Sequence, residues 1–181
     1  MLINIDNMDK VIRFNYGKAF SDEDIRRLCK YHVNVMTYRD LREYKSIDDA
    51  LGEYNAIILL YETKKNYGHW VAIHKVDKNT IEFFDSYGII PDHQIKNVDK
   101  RRLNELGYDD LHLTNMIKSA GYNLLYNDIK LQKLKDDMST CGRWAGLRIA
   151  CKQIPLKDFV KLFKKQKMEP DWYVTALTMY I

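Results

Sequence analysis

The stretch from Tyr54 to Gly88 limits the fold more than any other part of the chain. "YNAIILLYE" is a continuous apolar run rich in β-branched residues, far too short to span a bilayer, and it reads as a buried strand. "HWVAIHKV" and "TIEFFDSYG" follow as two more strands, separated by the turn residues Asp77 to Asn79, so a hairpin sits in the middle of a sheet. Around this core the pattern is helical. In "SDEDIRRLCKYHV" Ser21 stands as N-cap with Asp24 three residues on, and Ile25, Leu28, Cys29 and His32 share one helix face, which makes Cys29 a core residue. "SIDDAL" is a short helix between Ser46 and Gly52, and "VDKRRLNEL" and "DLHLTNMIKSA" are helices ending at Gly107 and Gly121. "YNLLYNDIKLQ" reads as a further strand. Trp144, Leu147, Arg148 and Cys151 form one wall of a helix from Gly142 to about Lys152. Two helices close the chain, one through Phe159, Leu162 and Phe163, the other from near Asp171 after Pro170.

The expected class is therefore α+β, a central mixed sheet flanked by helices. With 181 residues, 46% of them hydrophobic, no internal repeat and no low-complexity linker, residues 1–181 read as one domain. A formal charge of +4 is too small to point to nucleic acid and leaves such contact open. Three cysteines without paired spacing argue against a disulfide framework. "MLINIDNMDKVIRF" lacks the apolar core of a signal peptide, so a chain neither secreted nor membrane-bound is expected.

One cysteine calls for a chemical explanation. In "STCGRWAGLRIAC", Cys141 falls in the first turn of a helix whose N-cap lies at Ser139 or Thr140, where free N–H groups and the helix dipole favour a thiolate. Gly142 beside it leaves room for a substrate backbone. A thiol nucleophile needs a base. Of the five histidines, His69 in "NYGHWVAI" stands where a glycine-containing loop enters a strand, whereas His32, His74, His93 and His112 read as structural or solvated. A hairpin turning about Lys78 sets His69 opposite roughly Tyr87, within a residue or two of Asp85. Asp85 could then orient the imidazole, although it also reads as a turn former in Asp-Ser-Tyr-Gly. Gln132, nine residues before Cys141, can curl back to stabilise an oxyanion or lie on the surface as a lone glutamine at a strand end. No C-x-x-C or H-x-x-x-H pair suggests zinc.

Taken in order, His69-Trp70, Asp85-Ser86-Tyr87-Gly88, Gln132 and Cys141-Gly142 resemble the adenovirus-protease and ubiquitin-like-protease clan of cysteine proteases over about Asn55 to Ala150. "GHW" and "TCGRW" bring the likeness nearest to capsid-maturation proteases of virophages and related double-stranded DNA viruses and transposons. The gap between Gln132 and Cys141 is longer than in desumoylating members of that clan. The resemblance implies a papain-like fold in circularly permuted order, His-Asp-Gln-Cys. Cys141 would be nucleophile, His69 general base, Asp85 orienter and Gln132 oxyanion donor, with no metal or cofactor. It further implies a narrow cleft that accepts small residues, glycine above all, before the scissile bond. Trp70 and Trp144 either line that cleft or pack in the core, the commoner place for aromatic residues beside strands and helices. The implied substrate is a capsid or scaffold protein, with DNA or an activating peptide as a further partner, in the virion and host cytoplasm. Two other readings stay open. One is a deubiquitinase-like or desumoylase-like peptidase using the same four residues. The other is a catalytically silent scaffold or DNA-binding protein, in which the basic stretch "LKDFVKLFKKQK" is either a DNA contact or an amphipathic helix with a solvated lysine face.

Overall fold

The computed structural model describes residues 5–65, 67–108, 110–135 and 137–181. Among these residues five strands form a sheet in chain order: β1 (Asn34–Thr37), β2 (Ala56–Lys64), β3 (Tyr67–Asp77), β4 (Thr80–Phe84) and β5 (Asn123–Tyr126). The β2–β3 and β3–β4 pairs are antiparallel and the two outer pairs parallel, so the sheet is mixed as expected. Among the described residues eight α-helices surround it: α1 (Ile5–Phe14), α2 (Asp22–Leu28), α3 (Ile47–Leu51), α4 (Lys100–Leu106), α5 (His112–Ser119), α6 (Cys141–Ala150), α7 (Leu156–Lys164) and α8 (Pro170–Thr178).

The unbroken apolar run of β2 has a simple cause, because helices cover the sheet on both faces. Ile58 and Leu60 join Trp70, Ala72 and Phe84 under Trp144, Ile149 and Phe159. Ile57, Leu59 and Tyr61 join Val71, Ile73 and Phe83 under Leu41, Ile47 and Leu113. Alternation along a strand sends successive residues to opposite faces, so a doubly covered strand must be apolar at every position. Ser21 caps α2 through a reciprocal capping box with Asp24, and Ser46 caps α3 by accepting from the Asp49 N–H. The hairpin pairs Ala72 with Phe84, Ile73 with Phe83 and His74 with Glu82, the register expected from a turn about Lys78.

Three expectations need correction. The strand read across "YNLLYNDIKLQ" ends at Tyr126, because the Asn127 side chain folds the backbone over. Its Nδ2 donates to the Ile129 and Asp85 carbonyls and its Oδ1 accepts from the Ile129 N–H. Gln132 thus lies on a loop. Leu162, one of the three apolar residues that trace its helix in the sequence, is 52% exposed, since the buried stripe is Leu156, Phe159, Val160 and Phe163. His32 leaves the α2 face because Lys30 and Tyr31 adopt left-handed backbone (φ 51 and 61) and end the helix. Among the described residues no helix is long and apolar enough to cross a membrane.

Beneath α6 the core holds a buried ion pair. Arg148 donates to both Glu82 oxygens, Nε to Oε1 at 2.6 Å and Nη2 to Oε2 at 2.8 Å, while Nη1 also donates to the Cys151 carbonyl and Nη2 to the Ile154 carbonyl. His74 lies beside it, buried, with neither ring nitrogen hydrogen-bonded. Burial, followed by the charges of Arg148 and Lys152, pushes its pKa down to about 3. His74 is therefore neutral in the folded protein, while in the unfolded chain it takes up a proton as the pH falls through about 6.5. Stability from this group is fully present above that value and drains away toward about pH 3. Denaturant unfolding should show His74 removing about 2 kcal/mol between about pH 6.5 and pH 5. His74→Leu should flatten that slope; an unchanged slope would show that His74 does not cause it.

Candidate active site

The ends of β3 and β4 and the mouth of α6 meet at one cleft of about 730 Å³, lined by Cys141, His69, Gln132, Trp70, Tyr87 and Met138 among others. Cys141 is the first residue of α6, with Thr140 at the N-cap position. The free N–H groups of that turn and the positive end of the helix dipole face the sulfur. Its surroundings divide into opposed influences. Burial pushes the thiol up, but the hydrogen bond and positive charge of His69, then the Trp70 and Gly142 N–H groups, outweigh it and leave the pKa lowered.

His69 is reached by alternation along β3 and by one glycine. The β2–β3 register slips between Glu62 and Lys64, and there a Cβ on Gly68 would lie 1.9 Å from the Tyr61 carbonyl oxygen. Only a residue without a side chain lets β3 enter the sheet at this place, and the next residue is His69. The imidazole stacks on Tyr87, with ring centroids 4.5 Å apart, as continuation of the hairpin register requires. Its Nε2 lies 2.9 Å from Asp85 Oδ1. With Nε2 committed to the carboxylate, Nδ1 is the nitrogen left for Cys141. Burial pulls the His69 pKa down, yet Asp85, by charge and hydrogen bond, and then Cys141 reverse this and raise it. Both shifts favour the charged members of the pair, thiolate and imidazolium.

Asp85, 1% exposed, is satisfied on both oxygens: Oδ1 also accepts from the Tyr87 N–H at 2.7 Å, and Oδ2 from Gln94 Nε2 at 2.8 Å. Gln132 is equally buried. Its own N–H and that of Leu131 donate to the Ser86 carbonyl, the Ser86 hydroxyl donates to Oε1 at 2.7 Å, and Nε2 donates to the Tyr87 hydroxyl. Its amide is therefore oriented with the N–H₂ end along the cleft, the polarity that an oxyanion donor needs.

The sequence thus placed Cys141, His69, Asp85, Gln132 and Trp70 at one site, and two cleft residues were misplaced. Trp144 is fully buried, packed edge-on to Phe163 with its indole N–H on Asp171, because it stands one turn deeper along α6 than Cys141 and so away from the mouth. Gly142 leaves no space for substrate: a Cβ there would sit 2.9 Å from Phe20 Cβ and 3.2 Å from Trp70 Cδ1, so glycine lets α6 pack under Trp70. The sequence reading missed the supporting residues Ser86, Gln94, Asn127 and Asp171. Ser86 carried a signal through its place beside Asp85, whereas Gln94 and Asp171 join the site only through tertiary packing. Among the described residues no group of three or more His, Cys, Asp or Glu could hold a metal ion.

Burial pushes the Cys29 thiol up to about 12 and raises that of Cys151, opposite in direction to Cys141. Peptide mapping after iodoacetamide treatment near pH 7 should find Cys141 modified at least about tenfold faster than either. Gly68→Ala should erase most of that advantage by displacing His69. Equal modification of all three thiols would contradict the assignment.

No family model matches the chain. A solved structure titled as that of a de-sumoylating protease superposes over 97% of this chain and 77% of its own, with a TM-score of 0.39 and 12% identity. In sequence, the chain is 36% identical over 176 residues to "Uncharacterized protein V9" of Sputnik virophage, spanning 94% of this chain and 99% of that one. On that match the chain belongs to the family of the virophage protein V9.

Proposed function

We propose that the protein is a cysteine endopeptidase in which residues 1–181 act as a single protease domain. The observation that carries this reading is the convergence of a lowered-pKa Cys141 at a helix mouth, a His69 held by Asp85 at 2.9 Å, and a buried, oriented Gln132 amide in one open cleft. The Cys141 thiolate attacks the scissile carbonyl, and the resulting oxyanion takes hydrogen bonds from Gln132 Nε2 and backbone N–H groups. The tetrahedral adduct collapses to a thioester as His69 Nδ1 delivers its proton to the departing amine. His69, now neutral, takes a proton from water, which hydrolyses the thioester and restores the thiolate. Asp85 keeps the ring in one orientation throughout and stabilises its cationic form.

The virophage relative directs the choice of substrate. In this reading the protein cuts a capsid or scaffold protein during virion maturation, in the virion and the host cytoplasm, and prefers small residues before the scissile bond. Incubation of the purified protein with the virus's capsid protein, and with ubiquitin-like and SUMO-like fusions as controls, tests this directly. Wild type should cut the capsid protein at a small residue. Cys141→Ala should abolish cutting, a loss on the order of a million-fold, and Gln132→Ala should lower kcat about 100-fold to 1000-fold. Cleavage of only the ubiquitin-like or SUMO-like fusions would assign the enzyme to the deubiquitinase-like or desumoylase-like reading. Unchanged cleavage by Cys141→Ala would end the protease assignment.

A further inference from the structure

Asp171, in the first turn of α8, is 0% exposed and has no role in the reaction steps above. Three donors meet on its carboxylate. The Thr140 hydroxyl donates to Oδ1 at 2.7 Å and the Trp144 indole N–H to the same oxygen at 3.0 Å, while the Lys133 backbone N–H donates to Oδ2 at 2.8 Å. Thr140 immediately precedes Cys141, Trp144 lies one turn beyond it, and Lys133 immediately follows Gln132. A carboxylate used only as a core staple could take its donors anywhere, but these three flank the nucleophile and the oxyanion donor.

We propose that Asp171 is a positioning residue that locks the mouth of α6 to the Gln132 loop, fixing where the Gln132 amide stands relative to the Cys141 sulfur. This rests on the reading of those two residues as oxyanion donor and nucleophile. The link between them is eight residues long and includes the exposed residues Leu134 and Lys135, whose side chains cannot fix its course. The α8 helix can. At its far end Arg143, also buried, donates through Nη1 to the Thr178 carbonyl and hydroxyl, so α8 is pinned to α6 at both ends. At its near end Glu169 reaches Tyr16, Arg13 and Lys133, and the Tyr16 carbonyl accepts the Ser139 N–H at 2.8 Å. The α8 N-terminus also supplies a favourable potential for the Asp171 charge. An oxyanion donor displaced by about an ångström loses much of its effect, which is why a remote tether can control the rate.

Two reactions of the same thiol separate positioning from mere structure. Alkylation by iodoacetamide displaces iodide and forms no oxyanion, whereas acylation by p-nitrophenyl acetate passes through a tetrahedral oxyanion before nitrophenolate leaves. Asp171→Asn keeps an acceptor for Thr140 and Trp144 but turns an amide toward the Lys133 N–H. In this variant the acylation rate should fall at least about tenfold while alkylation of Cys141 stays within about twofold of wild type. Thr140→Val, a near-isosteric change that leaves Asp171 in place, should lower the acylation-to-alkylation ratio by about threefold, and it decides the matter if Asp171→Asn does not fold. An unchanged ratio in the folded variants, with both rates following the folded fraction, would make Asp171 purely structural and overturn the proposal. A wild-type protein that is alkylated but never acylated would instead overturn the reading of the site, and the proposal with it.

Discussion

A thiolate and an imidazolium kept largely out of water are the demand around which this structure is organised. Removal from water opposes charge on both groups, and for both Cys141 and His69 burial acts against the charged form. The opposing influences must be numerous and rigid. They come from Asp85 behind the ring, from the Trp70 and Gly142 N–H groups, and from the first turn of α6. Asp85 and the Trp70 N–H come from a different element than the group each one serves, so the charge state depends on how β3, the end of β4 and α6 are fitted together.

The density of hydrogen bonds behind the site follows from that dependence. A buried carboxylate with a free lone pair would be costly, and Asp85 has donors on both oxygens while the Ser86 carbonyl and hydroxyl hold the Gln132 loop. The short sequence Asp-Ser-Tyr-Gly therefore serves several functions at once: a carboxylate for His69, an anchor for Gln132, an aromatic face for the imidazole and a tight turn. That turn closes with Gly88 at φ 74, where a Cβ would strike the backbone at Ile129. The Arg148–Glu82 pair shows another solution to the same problem, with all three guanidinium nitrogens donating to acceptors, and the neighbouring His74 remains neutral with unmatched nitrogens.

What the sequence revealed was what local rules govern. The hairpin register followed from its turn, and it brought His69 to Tyr87 and Asp85 because antiparallel pairing is fixed by counting residues. The place of Cys141 at a helix mouth followed from capping residues and apolar periodicity. What depends on tertiary fit was hidden. Trp144 looked like a cleft residue because it is near Cys141 in sequence, while one turn of rise along α6 takes it away from the mouth and down to Asp171. Gln132 was read at a strand end, and a single asparagine side chain ends that strand earlier. Asp171 had no visible signal, since its three partners are scattered through residues 133–144 and meet only on folding.

The central claim is that Cys141 and His69 rest as an ion pair before any substrate arrives. A nitrogen NMR titration of the histidine-labelled protein observes it at the ring itself. The His69 imidazole should remain doubly protonated well above the ordinary histidine value of about 6.5, and its midpoint should drop when Cys141→Ala removes the thiolate. If His69 titrates at or below about 6.5 in the wild type, and Cys141→Ala leaves it unmoved, then the two groups rest neutral and the electrostatic account of this site is wrong.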